Sequence, residues 1–222
     1  MNVVQIYEDA MTSPETSGRR HRKRSQTLDH LAGTAARLFE AHGFEAVTME
    51  RIAAEADVAK GTLYNHFPTK EAVLAHWIHM ELAKDLGHLA GVIGPQTRFA
   101  DGITHILAAS ADWCERHRDY LPPYLRFRFL EIGTAPNVES DSARDMTSAF
   151  RWLILNSQQA GEMRTDLSAE HLALMFHHLY LSALLRWLDI PGLKLGKEFA
   201  SVVQLFVEGA ASAPVKISKP RK

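Results

Sequence analysis

The chain has 222 residues, 46% of them hydrophobic and 23% charged, which is the composition of an ordinary globular protein able to bury a core. Its one cysteine, Cys114, excludes an internal disulfide and fits a reducing compartment. Neither a signal peptide nor a run of about 18 uncharged apolar residues is recognisable, so we expect a cytoplasmic protein with no membrane partner.

Charge is distributed unevenly along the chain, although its 25 basic and 26 acidic residues nearly cancel. Residues 19–70 carry nine basic and six acidic side chains, whereas residues 71–213 carry twelve basic and seventeen acidic ones. A basic N-terminal segment on an acidic body indicates a contact with a polyanion that is confined to one end of the protein.

The N-terminal part of the chain predicts a disordered arm followed by a helix. Residues 1–24 mix Ser, Thr, Pro and acidic residues without periodicity and end in the basic run RRHRKR, residues 19–24. Apolar residues at helical spacing then predict a helix from Ser25 to His42, closed by Gly43 in a left-handed conformation.

A tight pair of short helices is predicted next. Thr48 is placed to cap a helix over residues 49–56 through its side-chain oxygen. A second helix spans residues 61–67 and has to end there, because Pro68 disfavours the α conformation at Phe67.

The remainder of the chain is also predicted to be helical. A long helix, capped by Thr69, extends to about Val92, and further helices cover roughly residues 98–118, 142–160, 169–188 and 197–209, with Pro122-Pro123 interrupting the chain before YLRFRFLEI. The segment GTAPN at 133–137 is the best candidate for a mobile loop. We therefore expect an all-α chain with a small domain at 25–70, a helical body at 71–213 and a basic tail at 214–222.

The short helix at 61–67 has the composition of a surface that binds DNA. Leu63 and Phe67 lie four residues apart and form its apolar face, which leaves the polar side chains pointing outward. A polar helix on a firmly packed base fits the major groove, and the helix N-terminus suits phosphate. A plain surface helix between two longer ones is the alternative, but the basic run and the capped preceding helix favour DNA.

The stretch LFEAHGFEAVTMERIAAEADVAKGTLYNHFPTKEAVL resembles the DNA-binding domain of tetracycline-repressor (TetR) family transcription regulators, over roughly residues 25–83. The resemblance implies a helix-turn-helix in which Thr48 contacts phosphate and RRHRKR acts as a flexible arm near the minor groove. It also implies that four residues approach bases, namely Lys60, Gly61, Thr62 and Tyr64. The predicted DNA-binding residues are Arg24, Thr48, Met49, Lys60, Gly61, Thr62, Tyr64, Asn65, His66 and Lys70, of which Tyr64, His66 and Lys70 clamp the backbone.

One residue departs from the family pattern. The family's turn usually has Gly where this chain has Asp57. Because Asp tolerates the left-handed conformation better than most residues, the turn is still expected to form, at a modest cost in stability.

Beyond residue 83 the resemblance is architectural only, and it implies a homodimeric repressor that a small-molecule effector releases from a palindromic operator in double-stranded DNA. The nearly all-apolar helix at 172–188 and the apolar stripe of the last helix predict a four-helix dimer interface. The expected interface residues are Leu184, Leu188, Phe199, Val202, Val203 and Phe206. An ordinary intramolecular core is the alternative interpretation.

The middle helices are rich in aromatic residues, which predicts a pocket for an apolar or amphipathic ligand. Its expected lining residues are Trp113, Tyr124, Phe127, Arg128, Phe150, Met175 and His178. Here too, a plain aromatic core is the alternative interpretation.

Twelve histidines raise the question of a metal. The pairs His76/His79 and His171/His178 have only helical spacing, and no HExxH motif or cysteine cluster accompanies them. No catalytic motif is recognisable either, so we expect no metal, no cofactor and no enzymatic activity. Two alternatives stay open: an architectural or division-control DNA binder without a ligand, and a His-rich metal-binding helical protein.

Overall fold

The computed structural model describes residues 15–89, 93–94, 97–130 and 146–210, with side chains for residues 22–85, 93–94, 97–129 and 146–209. These residues form nine α-helices and no strand, which confirms the all-α prediction. Within the same residues, no helix combines the length and the apolar character needed to cross a membrane.

The described part of the chain is a succession of helices. In order, they are α1 Glu15–His42, α2 Met49–Glu55, α3 Lys60–His66, α4 Lys70–Leu89, α5 Phe99–Arg116, α6 Leu121–Leu130, α7 Met146–Gln159, α8 Ala169–Asp189 and α9 Leu195–Ala210. A 3₁₀ turn, Arg118–Tyr120, precedes α6.

The first helix is longer than the sequence predicts. It begins at Glu15 rather than at Ser25, so the prediction of a disordered arm is wrong for residues 15–24. The basic run consists mostly of Arg and Lys, which are good helix formers, and the helix therefore continues through it. Residues 1–14 and the predicted loop at 133–137 lie outside the described residues.

The ends of the first helices confirm the predicted turn chemistry. Gly43 has a φ of 80° and closes α1, and its backbone N–H donates to the Phe39 carbonyl at 2.8 Å. Thr48 caps α2, since its hydroxyl oxygen accepts from the Arg51 backbone N–H at 3.2 Å. Asp57 takes a φ of 53° in the turn after α2, as its position in the family pattern requires.

The chain divides into two compact units, and this division differs from the boundary expected at residue 70. The N-terminal unit contains the described residues 15–88 and 113–130, and the C-terminal unit contains 89, 93–94, 97–112 and 146–210. Helix α4 belongs to the N-terminal unit partly because it makes a polar contact with α1. His76 contacts Asp29 with 2.9 Å between imidazole nitrogen and carboxylate oxygen, and its ring packs edge-on against Phe67.

The N-terminal unit holds α2 and α3 against α1 through a small apolar core. On α1, Leu31, Ala35 and Phe39 are buried, and on the shorter helices Ile52 and Leu63 are completely buried. Each of these residues lies on the inner stripe that the helical period predicts. The two short helices therefore gain their stability from tertiary packing, because helices of seven residues are not stable alone.

The C-terminal unit is built around aromatic contacts between α5, α7, α8 and α9. Phe176 of α8 packs edge-on against Phe99, Phe150 and Phe206, with ring centroids 4.8 to 5.7 Å apart. Tyr180 donates to or accepts from the buried Ser110 hydroxyl at 2.9 Å. These contacts make α8 the central helix of this unit.

The anchoring of α3 leads to a test of stability. Replacing Leu63 with Ala should lower the free energy of unfolding by about 2–5 kcal/mol, because a completely buried side chain is removed. Urea denaturation followed by circular dichroism measures it. Asn65→Ala on the exposed face of the same helix is the control and should change stability by less than about 0.5 kcal/mol. Equal effects of the two changes would contradict the assigned anchor.

Candidate nucleic-acid interface

Helix α3 presents a polar face on a single apolar anchor. Leu63 is its one buried residue, and Phe67, just after its end, is buried as well. Phe67 has the extended conformation that the following proline imposes, with φ −132° and ψ 109°. Two apolar side chains one turn apart thus fix the orientation of a two-turn helix.

The predicted base-contacting residues lie on the outer side of α3. All are exposed apart from His66, which is half-buried, and they are Lys60, Gly61, Thr62, Tyr64, Asn65 and His66. Ala59 precedes the helix with an extended backbone and supplies no capping side chain, and within the first turn the Thr62 N–H already donates to the Ala59 carbonyl at 2.9 Å.

Two predicted DNA contacts lie at the start of α2, and they differ in exposure. Thr48 is exposed next to this helix terminus, where its hydroxyl already accepts from Arg51. Met49 is 7% exposed, so its side chain belongs to the core of this unit, and its contact with DNA stays a prediction. Met49 lies one turn before Ile52 and Ala53, and an apolar side chain at that spacing turns to the same inner face.

An acidic residue that the sequence analysis missed stands among the predicted contacts. The Tyr64 hydroxyl donates to Glu50 Oε1 at 3.4 Å, and the same oxygen lies 4.0 Å from the Lys60 ammonium. Partial desolvation and then the Glu50 charge raise the pKa of the Tyr64 hydroxyl, so this group keeps its proton and remains a donor. The sequence shows Glu50 two residues after the Thr48 cap, but it does not show its partners, because Lys60 and Tyr64 lie on another helix.

The basic run approaches the end of α3. Desolvation lowers the pKa of the His66 imidazole, and the positive charge of Arg24 lowers it further. The guanidinium of Arg24 therefore lies close enough to α3 for its charge to be felt there. Arg22, Lys23 and Arg24 are all exposed, so this turn of α1 adds positive charge beside the polar face.

Lys70 is engaged within the protein. Its ammonium donates to the Phe44 carbonyl at 2.7 Å and to the Glu45 carbonyl at 3.5 Å. It also lies 4.2 Å from the centre of the Phe44 ring. The predicted phosphate contact would have to compete with these three interactions.

The predicted pocket residues are divided between the two units. Trp113, Tyr124, Phe127 and Arg128 belong to the N-terminal unit, and Phe150, Met175 and His178 belong to the C-terminal unit. Trp113, Tyr124 and Phe150 are buried, while Phe127 and Arg128 are half-buried.

Two of the predicted pocket residues face outward. Met175 and His178 are exposed, and the buried histidine of α8 is His177. Phe176 and Tyr180 define the inner face of α8, and a residue two positions after Phe176 lies about 200° around the helix. Met175 and His178 therefore lie outside the core of this unit, and their place in a ligand pocket stays a prediction.

The predicted dimer residues are also placed differently. Leu184, Phe199, Val202 and Phe206 are buried in the C-terminal unit, whereas Leu188 and Val203 are half-buried. Because Phe206 packs on Phe99 and Phe176, and Phe199 stacks on Tyr180, these phenylalanines serve the core of one chain. Large exposed apolar residues of α8 and α9 were overlooked, and they are Leu174, Met175, Leu185 and Leu205.

No group of three His, Cys, Asp or Glu side chains with the arrangement of a metal site occurs in the part of the chain that the structure describes. Several histidines have structural roles instead. His30 contacts the Ala56 carbonyl at 3.3 Å, His76 contacts Asp29, and His79 contacts the Tyr124 hydroxyl at 3.2 Å.

Known proteins resemble this chain in both sequence and structure. Residues 32–76 match the model for bacterial regulatory proteins of the tetR family. The putative mycofactocin biosynthesis transcriptional regulator MftR of Mycobacterium tuberculosis is 28% identical over 173 residues, which cover 75% of this chain and 82% of MftR.

Two solved structures share the fold. Thermus thermophilus FadR, a TetR-family transcriptional repressor in complex with lauroyl-CoA, matches with a TM-score of 0.66 and 24% identity, over 87% of this chain and all of FadR. RolR in complex with resorcinol matches with a TM-score of 0.62 and 16% identity, over 86% of this chain and 91% of RolR.

The geometry and the comparisons agree on one assignment. The helix-turn-helix of α2 and α3 lies inside the matched segment, and the outer face of α3 carries exposed polar side chains. The helix-turn-helix region of this chain matches the tetR family of bacterial regulatory proteins, and the chain as a whole is similar to transcription regulators over most of its length.

Proposed function

We propose that the protein is a homodimeric repressor that binds a palindromic operator and is released from it by a small apolar or amphipathic ligand. The observation that carries the proposal is the exposed polar face of α3 on its buried Leu63 anchor. Two copies of α3 in one dimer would enter successive major grooves about 34–36 Å apart.

The charges around α3 support binding to duplex DNA. Lys60 lies at the start of α3, and the positive charge of the exposed Arg24 reaches His66 at its end. Each phosphate that such a cation neutralises releases condensed counterions, so the affinity falls as the salt concentration rises. Thr62, Tyr64 and Asn65 supply the hydroxyl and amide groups that read base edges.

A mobility-shift titration with palindromic fragments from the neighbouring promoter tests this interface. Lys60→Met should lower operator affinity and reduce the slope of log affinity against log salt by about 1, because one phosphate contact is lost. Lys197→Met, an exposed cation in the C-terminal unit, is the control and should leave both quantities unchanged. Equal behaviour of the two variants would refute the assigned contact.

Exposed apolar side chains of the C-terminal unit support the dimer. Leu174 and Met175 of α8 are 52% and 49% exposed, and Leu205 of α9 is 61% exposed. The two helices pack against each other, and Arg186 binds Glu198 across them at 2.9 Å. Apolar side chains on the outer faces of two packed helices are typical of a surface that a second copy covers.

This dimer proposal is tested by inserting a charge. Leu174→Glu should shift the protein from dimer to monomer in analytical ultracentrifugation and weaken operator binding at least tenfold, because a carboxylate would be buried without a partner. Leu155→Glu on α7, at a side chain that is 38% exposed, is the matched control and should remain dimeric. A dimeric Leu174→Glu variant would place the interface elsewhere.

The proposed release of DNA by a ligand is supported by similar proteins and by the interior of this chain. FadR was solved with lauroyl-CoA and RolR with resorcinol, both of which combine apolar and polar parts. Buried polar groups lie beside aromatic walls in this chain, notably Ser110 and Tyr180 next to Phe150. Release of DNA requires that the ligand bind the DNA-free conformation more tightly than the DNA-bound one.

Thermal-shift measurements with lauroyl-CoA and resorcinol as probes, followed by operator titrations, test the ligand step. A probe that raises the melting temperature of the free protein should lower its operator affinity by at least about fivefold, the lower end of allosteric coupling. A probe that stabilises the protein and leaves operator affinity unchanged would instead favour a ligand-independent architectural DNA binder.

A further inference from the structure

We propose that Glu50 is a specificity-determining residue, whose carboxylate accepts a hydrogen bond from the amino group of one cytosine or adenine in each operator half-site. Where the duplex presents no amino group at that position, the carboxylate opposes binding. This inference deepens the proposed function, because it rests on the operator contact of α3, and it is independent of the ligand and of the dimer interface.

Glu50 belongs to α2, but its side chain reaches the outer face of α3. Its Oε1 accepts from the Tyr64 hydroxyl at 3.4 Å and lies 4.0 Å from the Lys60 ammonium. Both partners lie on the exposed face that carries the predicted base contacts. The side chain of Glu50 is 49% exposed, so it remains accessible to a molecule that covers this face. The carboxylate is therefore part of the surface that the operator would touch.

The two contacts restrain Glu50 without enclosing it. A hydrogen bond from a hydroxyl to a charged oxygen is normally about 2.5–2.7 Å long, so the 3.4 Å contact with Tyr64 is a weak one. The Lys60 ammonium lies at the outer limit of an ion pair, and its side chain is 66% exposed. Exposed pairs of this kind contribute little free energy. Glu50 can therefore exchange either partner for a group on DNA.

A carboxylate distinguishes base edges because it is an acceptor only. An ionised glutamate has no hydrogen to donate. In the major groove, cytosine and adenine present an amino donor, whereas guanine and thymine present acceptors alone. Glu50 would therefore gain a hydrogen bond at cytosine or adenine and would meet a second electron-rich oxygen or nitrogen at guanine or thymine.

On DNA that lacks the matching base, Glu50 acts against the donors around it. Its carboxylate competes with phosphate for the Lys60 ammonium and the Tyr64 hydroxyl, and it also repels the phosphates themselves. Both effects weaken binding to DNA of any sequence, and a hydrogen bond from a base amino group offsets them. A repulsive element of this kind increases the difference in affinity between right and wrong partners.

Two simpler roles are the rivals of this one. Acidic side chains in the first turn of a helix stabilise it, and Glu50 lies in the first turn of α2. The second rival role is to hold the Tyr64 hydroxyl and nothing more. A stabilising role changes the melting temperature, and a holding role changes affinity for every duplex by the same factor. Neither of them changes which base is preferred at one operator position.

Titrations of the full chain with substituted operators provide the test. The palindromic fragment that the wild-type protein binds is altered symmetrically, one position of the half-site at a time, to each of the other three base pairs. One position should require cytosine or adenine on the facing strand, with guanine or thymine lowering affinity about tenfold. In Glu50→Gln this penalty should fall below about threefold, because an amide donates as well as accepts. The penalties at the other positions should stay as in the wild type.

A duplex of random sequence tests the repulsive part of the proposal. Glu50→Gln should bind it at least about threefold more tightly than the wild-type protein does, because the charge that competes with phosphate is gone. Glu55→Gln is the matched control, since it neutralises another exposed carboxylate of α2 at the opposite end of the helix, about 140° around its axis. This control should keep the wild-type base preferences and bind random duplex within about twofold of the wild type.

A second variant keeps the result decisive, because glutamine can pair with adenine on its own account. Glu50→Ala has no hydrogen-bonding side chain and should lose the same preference at the same position. Unchanged base preferences in both variants, with or without a lower melting temperature, would overturn the proposal. An equal change of affinity for every substituted operator would overturn it as well and would leave Glu50 the holding role.

The failure of this inference can be told apart from the failure of the proposed function. A wild-type protein that binds palindromic fragments and random duplex equally well would defeat the proposed function. A wild-type protein that prefers one fragment, together with Glu50 variants that keep all of its base preferences, would defeat the role of Glu50 alone.

Discussion

The burial of Leu63 is the constraint on which the DNA-binding surface depends. A seven-residue helix has too few internal hydrogen bonds to repay its nucleation, so α3 exists as a helix because it is packed. Leu63 and Phe67 fix its rotation about its own axis, and that rotation decides which side chains point outward. The positions of Lys60, Thr62, Tyr64 and Asn65 follow from this packing, since each is set by its angular distance from the anchor.

A balance of charges accompanies this mechanical arrangement. Glu50 lies among the residues that we propose contact DNA, where its carboxylate accepts from the Tyr64 hydroxyl and lies 4.0 Å from the Lys60 ammonium. In the free protein it restrains two flexible donors, which lowers the ordering cost of binding. Near phosphates the same carboxylate is repelled, so it also reduces affinity for DNA of every sequence. A negative charge in such a place favours specific over general binding, because only well-placed base contacts offset the repulsion.

Local signals in the chain were sufficient for the helix-turn-helix and insufficient for the body. Thr48, Gly43, Asp57 and Pro68 each act on their own backbone, so their effects are readable from sequence. The inner and outer faces of α8 could not be predicted from the sequence. Its apolar residues nearly surround the helix, so the spacing of apolar residues does not define which face is buried. His177 and His178 illustrate this ambiguity, since one position decides which of them is buried.

Contacts between residues far apart in the chain could not be predicted from the sequence either. The partner of Lys70 is a backbone carbonyl 26 positions away, and the partners of Glu50 lie on another helix. Main-chain acceptors have no sequence signature, so no pattern distinguishes a lysine that binds a carbonyl from one that binds a phosphate. A family resemblance supplies the residue type and leaves its partner open.

The length of α1 changes what its basic end contributes. At about 1.5 Å per residue, its 28 residues form a rod about 42 Å long, and the exposed Arg22, Lys23 and Arg24 lie on that rod. A coil would lose about 1–2 kcal/mol of backbone conformational entropy for every residue ordered on DNA, and these residues are already ordered. A helix, however, spreads consecutive side chains about 100° apart, so the three cations cannot all turn toward one groove. The helical basic end thus directs fewer cations toward one groove than a coil would, and it loses less conformational entropy on binding DNA.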